Sequence, residues 1–470
     1  MGIVLNKKNV LLLCSFIFLI GAPMLPIPEA MGDKGWVALG ILIFSIVLWG
    51  TQVIPAPITS FLAVALTAVF GIFSFEEAAS ELGNETIWLI ISMLIMGAAV
   101  EKLSLDKRLT YSILSLAGGH VKWTLLCLFI VAFLLTFFIP NAVGRLALLL
   151  PIASETIHVM EKQGGRNVST AIMLAITFVP YFSTIALLTG ASGSIYAAGL
   201  FESMLGFRWS YLHWFIVMLP IVMIVLALLW VLLLVLFPAK VSVVAEGREY
   251  FQQQKKKLGA FSKQEYQMVF LYVLLILLWA TRDLHHLSIS LSAVLVMILL
   301  FLPGFRLIQW KDVVHKVDWQ IPFLFAAGFT LANSLETSGF VAWISSWSMI
   351  YLDNLSVLSL VVAMTLIFVT IRFGFTNYTA MVASLMPMAL SFAISTPYNP
   401  VWLGMICLVS SSIAFIFPTQ STGSLTTFSM GYYTSRDMLV SGSIFTLLIM
   451  VVTIVAAFYY WPHVGLHIYK

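Results

Sequence analysis

The chain has 470 residues, of which 61% are hydrophobic and only 9% are charged. Soluble domains carry roughly a quarter of charged residues, so this composition excludes a soluble globular protein, a disordered chain and a coiled coil. The net charge of +4 is too small to indicate a nucleic-acid partner.

Apolar segments recur from one end of the chain to the other. In order they lie at about 9–28, 36–54, 56–74, 86–103, 123–139, 143–160, 170–201, 211–237, 266–281, 287–303, 320–335, 340–371, 377–394, 401–433 and 438–461. The longer runs have the length that a helix needs to cross a bilayer. The sequence therefore predicts an all-α polytopic membrane protein. Its one clearly hydrophilic connection, 238–265, lies at the midpoint of the chain and is expected on the cytoplasmic side.

Positive charge predicts how the chain crosses the membrane. We place the N-terminus in the cytoplasm and treat 123–160 and 356–394 as hairpins that enter and leave on one side. Most of the 24 Lys and Arg residues then lie on the cytoplasmic side, as inner-membrane proteins require. This bias predicts about eleven transmembrane helices plus two re-entrant hairpins, with the C-terminus outside. The short loops suit a bacterial inner membrane.

The two halves of the chain repeat each other. Asn141 and Asn377 are 236 residues apart, and so are Pro151 and Pro387. An odd number of spans in each half makes the second copy inverted. We therefore predict two inverted-topology repeats, 1–237 and 266–470, an architecture of secondary transporters that places the binding site between the repeats at the membrane midplane.

The predicted hairpin tips are candidate anion sites. Each tip combines a helix-breaking or polar residue with an Asn, and backbone exposed at membrane depth must be buried or face a water-filled cavity. The helix that follows each turn directs its free N–H groups and positive dipole end into that cavity. The alternative is that each Asn only bonds a neighbouring helix. The candidate substrate-binding residues are Asn141, Ala142, Arg145, Thr376, Asn377, Tyr378 and Thr379, with Thr189 and Thr422 from the segments described next.

Two later segments combine small hydroxyl residues with glycine inside apolar runs. They are Thr189–Ser194 and Phe417–Ser424. Such residues let a helix unwind, and the freed carbonyl and hydroxyl oxygens coordinate a hard cation such as Na⁺. The alternative is close helix packing by small residues. No Asp or Glu lies in these segments or at the hairpin tips, which disfavours proton coupling, and no cofactor is expected besides a coupling ion.

Two arginines lie inside the predicted hairpins. Arg145 follows Asn141 by four residues, and Arg372 precedes Asn377 by five. A buried arginine binds a substrate carboxylate, replaces a coupling cation, or pairs structurally with its neighbours. For Arg145 the sequence leaves these roles open, whereas for Arg372 it favours structural pairing.

Two other classes of protein stay open at this point. The run from Gly190 to Tyr196 resembles the nucleophile turn of rhomboid intramembrane proteases, in which Ser192 would be the nucleophile. Such an enzyme needs a histidine in an apolar helix as general base, and no histidine downstream is well placed. A channel is the second alternative, but it has no need of paired broken helices.

The hairpin tips are similar to those of the divalent-anion/sodium symporter family, whose members carry a Ser-Asn-Thr motif at each tip. Pro140-Asn141-Ala142 and Thr376-Asn377-Tyr378 stand at these positions, so only the Asn is kept in each. The resemblance covers essentially the whole chain. It implies a carboxylate substrate between the tips and two Na⁺ sites, formed by Asn141, Thr189, Gly190 and Gly193 and by Thr376, Asn377, Thr422 and Gly423.

The resemblance also implies a homodimer. Scaffold helices (about 1–110 and 266–352) would hold the dimer together, while hairpin and transport helices (about 123–237 and 356–461) would move. The missing hydroxyls at 140 and 142 remove two ligands from the first Na⁺ site, and Arg145 is positioned to compensate, as in relatives that exchange anions without sodium. We therefore expect a secondary transporter of small anions, with di- or tricarboxylates as substrates and sodium symport by alternating access. Sodium-independent anion exchange is the alternative.

Overall fold

The computed structural model describes residues 7–28, 31–344 and 356–470, and within these ranges the chain is almost entirely helical, with two isolated bridge pairs and no strand. The helices of the first half are α1 Lys7–Gly21, α2 Gly35–Thr51, α3 Ala56–Val69, α4 Phe75–Ser80, α5 Glu85–Lys102, α6 Leu105–Leu114, α7 Val121–Leu134, α8 Ala142–Gly164, α9 Arg166–Phe182, α10 Ser192–Leu205 and α11 Tyr211–Leu236. Those of the second half are α12 Ala245–Lys257, α13 Lys263–Ala280, α14 Arg282–His285, α15 Ile289–Leu299, α16 Trp310–Val313, α17 Gln320–Thr337, α18 Val357–Ile371, α19 Tyr378–Ser395, α20 Pro400–Ser411, α21 Thr422–Ser429 and α22 Ser435–Tyr459. The all-α membrane class predicted from composition is confirmed.

Six helices in the described ranges are long and apolar enough to cross a membrane. A seventh span results if α4 and α5, which meet at a bend of 44°, are taken together. Further apolar helices of 10 to 17 residues, among them α2, α3 and α20, are shorter than a full span. A helix this short spans the bilayer only if a neighbouring segment completes the crossing. The total of eleven spans and the two re-entrant hairpins stay predictions.

Burial separates the central helices from the peripheral ones. In an 18-residue window of the segment Arg166–Ala186, which contains α9, 94% of the residues are buried, whereas the corresponding windows of α11 and α22 are 33% and 39% buried. Apolar side chains on α11 and α22 are exposed on the surface of the protein, with Val235 70% and Val451 51% exposed. In water such surfaces are unfavourable, so these helices face lipid while α9 lies in the protein core.

Matching elements recur in the two halves. Helices α5 and α17 both contain 18 residues and begin 235 positions apart. Helices α7 and α18, and likewise α8 and α19, begin 236 positions apart. Each half also ends with a long apolar helix, α11 or α22. The structure thus matches the repeat read from the sequence in element order, and the inversion of the second copy stays a prediction.

The hydrophilic connection at the middle of the chain forms a docked helix. Helix α12 buries Phe251 completely. Gln163 Nε2 donates a hydrogen bond to Glu246 Oε2 at 2.7 Å, and the Tyr250 hydroxyl bonds the Glu155 carboxylate. The connection is therefore held against the end of α8 by packing and polar contacts.

Candidate anion-binding site

The first predicted tip is a break between two helices. Helix α7 ends in a 3₁₀ turn, Leu135–Phe137, and α8 begins at Ala142. Asn141 lies in extended conformation immediately before α8, and its Oδ1 accepts a hydrogen bond from the Val143 backbone N–H at 2.9 Å. Asn is among the best residues at this capping position because its side-chain oxygen satisfies an N–H that the helix itself leaves free.

The second tip has the same construction. Helix α18 ends in a 3₁₀ turn, Arg372–Gly374, and α19 begins at Tyr378. Asn377 Oδ1 accepts hydrogen bonds from the backbone N–H groups of Thr379 and Ala380, at 2.8 and 3.2 Å. A backbone N–H only donates, so Oδ1 is committed to the helix at both tips. The amide Nδ2 of each Asn is then the donor left for an anion.

The two later segments are broken as well. In the first half, α9 ends at Phe182 and α10 begins at Ser192, with a 3₁₀ turn, Ser183–Ala186, between them. In the second half, α20 ends at Ser411 and α21 begins at Thr422. Gln420 Oε1 accepts hydrogen bonds from the N–H groups of Ile416 and Phe417, which stabilises the unwound backbone.

These breaks meet around one cavity of about 290 Å³. Its lining residues are Trp49, Gln52, Ala56, Pro140, Asn141, Ala142, Val143, Tyr181, Thr184, Ala191, Ser192, Asp318, Gln320, Ile321, Leu324, Arg372, Thr376, Asn377, Tyr378, Thr379, Ala380, Ser412 and Thr422. Seven of the nine predicted substrate residues are therefore brought together. The other two, Arg145 and Thr189, are fully buried but are not among the residues that line this cavity.

Ser192 connects the two halves of the site. Its backbone N–H donates to the carbonyl oxygen of Pro140 in the first tip, at 3.2 Å. Its hydroxyl hydrogen-bonds Thr379 Oγ1 in the first turn after the second tip, at 2.7 Å. These contacts join segments that are far apart in sequence, and they position the start of α10 between the two hairpin tips.

Two glycines allow aromatic rings to approach the broken helices. A Cβ added at Gly193 would lie 2.6 Å from Cε1 of Tyr378, so only glycine accommodates this ring. At Gly423 a Cβ would collide with the Tyr181 hydroxyl, which instead accepts a hydrogen bond from the Gly423 N–H at 3.0 Å. Gly193 lies within the first turn of α10, so its role here is to give the Tyr378 ring space.

Arg145 pairs with backbone. Its side chain is 0% exposed, and Nη1 donates to the carbonyls of Ile139 and Gly190 at 2.7 and 2.9 Å. Nη2 donates to the carbonyl of Pro180 at 2.6 Å. These three carbonyls belong to the first tip, the unwound segment and the end of α9. The geometry therefore supports the structural role that the sequence had left open, and it places a fixed positive charge where the first cation site was predicted.

Arg372 differs from Arg145 in its position against the cavity. It lines the cavity, although the sequence favoured a purely structural role for it. Its side chain is 1% exposed, and its Nη1 donates a hydrogen bond to the carbonyl of Phe375 at 2.8 Å. Nε is buried and has no hydrogen-bond partner among the described residues. This residue is a cation of the site that sequence reasoning did not select.

Helices from the N-terminal part of each half close the cavity. Trp49 and Gln52 come from the end of α2, and Asp318 lies just before α17. Gln52 adopts the left-handed conformation with φ 52°, and its Nε2 donates to Thr376 Oγ1 at 3.3 Å. In the sequence, Gln52 could have been recognised as a polar residue at the end of an apolar helix. Burial raises the pKa of Asp318 above its ordinary value.

The cation ligands predicted from the sequence are neutral oxygens. Among the described residues, no group of three or more His, Cys, Asp or Glu is arranged to hold a metal ion. Of the predicted Na⁺ ligands, Asn141, Thr376, Asn377 and Thr422 line the cavity, and Gly190 gives its carbonyl to Arg145. Neutral oxygens of this kind suit Na⁺.

Comparison with known proteins supplies the family. A family model described as the sodium:sulfate symporter transmembrane region matches residues 6–467. The chain belongs to the divalent-anion/sodium symporter family. This transporter is 24% identical over 461 residues to the sodium-dependent dicarboxylate transporter SdcS of Staphylococcus saprophyticus, covering 93% of its own chain and 88% of that relative. The SdcS of Staphylococcus aureus (strain USA300) is 25% identical with the same coverage.

Solved structures of membrane transporters share the fold. MtrF of Neisseria gonorrhoeae matches with a TM-score of 0.62 and 13% identity, covering 100% of this transporter and 98% of that chain. The YdaH transporter of Alcanivorax borkumensis matches with a TM-score of 0.57 and 14% identity, covering 93% and 99% of the two chains. At these identities the likeness shows the fold alone.

Family membership rules out the hypothesis that the chain is an intramembrane protease. Members and relatives are transporters, and this chain is not an enzyme. The structure explains why the Ser192 motif looks like a nucleophile turn. The serine begins a helix after an unwound segment, and its hydroxyl bonds Thr379, while no histidine is among the residues that line the cavity.

Proposed function

We propose that this transporter carries small di- or tricarboxylates across the bacterial inner membrane, coupled to the movement of Na⁺ down its gradient. One observation carries the proposal: two Asn-capped helix N-termini, from equivalent positions in the two halves, line a single cavity. Helix N-termini and amide donors favour anions. The named SdcS relatives are sodium-dependent dicarboxylate transporters, which supports this substrate class and this coupling ion.

The proposed mechanism is alternating access around this cavity. The substrate anion occupies the space between the tips, where Asn141 and Asn377 donate from Nδ2. A Na⁺ ion at the Asn377 tip uses hydroxyl and carbonyl oxygens, with Thr422 within the same lining. The hairpin and transport helices (about 123–237 and 356–461) then move against scaffold helices that hold a homodimer, with the N-terminus in the cytoplasm and the C-terminus outside.

One observation favours a second candidate, sodium-independent anion exchange. The guanidinium of Arg145 already donates to the carbonyl of Gly190, one of the predicted ligands of a cation at the first site. A tethered positive charge does not dissociate, so it offsets substrate charge without coupling transport to an ion gradient.

Uptake into proteoliposomes distinguishes these proposals. Labelled succinate, citrate and sulfate are supplied outside, with and without an inward Na⁺ gradient and with and without unlabelled anion inside. Symport gives accumulation that needs the Na⁺ gradient and no internal anion. Exchange gives uptake that needs internal anion and ignores Na⁺. Conductance that does not saturate with substrate would contradict both proposals, and so would the absence of uptake for all three anions.

A further inference from the structure

The charge of Arg372 lacks a counterion in the described part of the chain. Four ion pairs are present there, Lys102–Asp312, Arg108–Glu265, Arg208–Glu202 and Lys316–Glu101, and none of them includes Arg372. Asp318 lines the same cavity but lies beyond ion-pair distance. A buried guanidinium without a counterion is unfavourable, and inside a membrane protein a buried charge often marks a functional site.

The hydrogen bonds of Arg372 leave one edge of its guanidinium without an acceptor among the described residues. Nη1 donates to the Phe375 carbonyl, and Nε has no acceptor among the described residues. The Nε and Nη2 N–H groups form the edge that binds the two oxygens of a carboxylate side by side. We propose that Arg372 binds an anionic group of the substrate, a carboxylate if the transporter carries dicarboxylates as proposed above.

Arg145 is the matched comparison within the same chain. Both arginines are completely or almost completely buried, and each lies close in sequence to a tip Asn. Among the described residues both arginines lack an ion-pair partner and an acceptor for Nε. They differ in that Arg145 donates to three backbone carbonyls and does not line the cavity, whereas Arg372 lines it and donates to one. The two residues thus divide the roles of structural support and substrate binding.

The position of Arg372 also predicts selectivity. It lies on the 3₁₀ turn that precedes Thr376 and Asn377 at the same tip, so its charge acts together with the N-terminus of α19 on one end of the substrate. The tip around Asn141 is left for the other end. A substrate with two anionic groups engages both tips, and a singly charged analogue of equal length loses one of them.

Binding and uptake measured on the full-length protein test the assignment. Arg372→Gln, Arg372→Lys and the control Arg145→Gln are purified, and apparent melting temperature, succinate affinity by isothermal titration calorimetry and the KM for uptake are measured. We expect Arg372→Gln to keep the wild-type melting temperature without ligand and to bind succinate at least tenfold more weakly. Arg372→Lys keeps the charge but not the bidentate geometry, so its succinate affinity is expected to lie between those of wild type and Arg372→Gln. Arg145→Gln is expected to melt earlier, with succinate affinity changed less than in Arg372→Gln.

Selectivity between substrates is a measurement that would not change if Arg372 had only a structural role. Wild type is expected to prefer succinate over its monoamide, and Arg372→Gln to lose most of this preference. Succinate affinity within twofold of wild type in Arg372→Gln, with the preference kept, overturns the proposal. If Arg372→Gln does not fold, the same comparison between Arg372→Lys and wild type decides, and unchanged affinity and selectivity there count against the assignment.

The same experiment separates this inference from the proposed function. Sulfate and phosphate are titrated in parallel with succinate. If wild type binds sulfate but no dicarboxylate, and Arg372→Gln removes sulfate binding, the dicarboxylate assignment fails while Arg372 stands as the anion contact. If wild type binds succinate and Arg372→Gln binds it equally well, the proposed function stands and the role of Arg372 is rejected.

Discussion

Replacing Asn377 by Asp separates helix capping from anion binding at the second tip. Oδ1 of Asn377 caps α19 through the N–H groups of Thr379 and Ala380. Asp caps a helix as well as Asn does, and a negative charge at a helix N-terminus adds about 0.3–1 kcal/mol of stability. Asn377→Asp is therefore expected to fold at least as well as wild type. The substitution removes the Nδ2 donor and puts an acceptor in its place.

The cost to anion binding follows from Coulomb's law. In the proposed complex Nδ2 contacts the substrate, so the new carboxylate would lie about 4 Å from a substrate carboxylate. Two unit charges at that distance repel by about 4 kcal/mol at an effective dielectric constant near 20, which corresponds to roughly a thousandfold weaker binding. Asn141→Asp should behave alike. Asn141→Ala and Asn377→Ala lose both cap and donor, so uptake should be abolished, with a stability cost of about 1 kcal/mol and normal membrane insertion.

Asn399 provides a matched control. It caps α20 in the same way, with Oδ1 accepting from the N–H groups of Val401 and Trp402, and it does not line the cavity. Asn399→Asp is expected to retain uptake. The assay is the initial rate of labelled succinate uptake into proteoliposomes, with melting temperature in detergent as the stability readout. A KM for Asn377→Asp within threefold of wild type would refute the reasoning, as would equal loss of uptake in Asn399→Asp.

Three further substitutions test other parts of the site. Arg145→Gln leaves buried carbonyls without a donor, which costs about 1–3 kcal/mol of stability for each carbonyl, so the melting temperature should fall. An unchanged melting temperature would contradict the structural role of Arg145. Asp318→Asn removes a carboxylate from the cavity, so its KM for succinate at pH 7 should fall. Because burial raises the pKa of Asp318, its charge is lost as pH falls, and KM measured from pH 7 to 5 should depend on pH less in the variant than in wild type. Tyr272→Phe removes a hydrogen bond to the Phe138 carbonyl at 2.8 Å, which should cost about 1 kcal/mol in thermal unfolding and leave succinate affinity within twofold of wild type.

Local chemistry explains which features could be read from the sequence. Asn141 and Asn377 are recognisable because a capping residue acts on N–H groups two or three positions later in the chain. Low charge density specifies a membrane protein because lipid cannot hydrate polar groups. The equal spacing of the two Asn residues and the two later prolines predicted matching elements, and α8 and α19 indeed begin 236 positions apart.

The tertiary structure decided how distant groups use these features. Arg145 and Arg372 look alike in sequence, but the carbonyls of Pro180 and Gly190 come within reach of only the first. A buried guanidinium binds whichever acceptors the fold brings near it, and two of the acceptors of Arg145 lie 45 and 35 residues away along the chain. The same is true of Gln52, which contacts Thr376 from the other half of the protein. Periodicity and capping act within a few residues, whereas the charge balance of the cavity depends on which helices pack together.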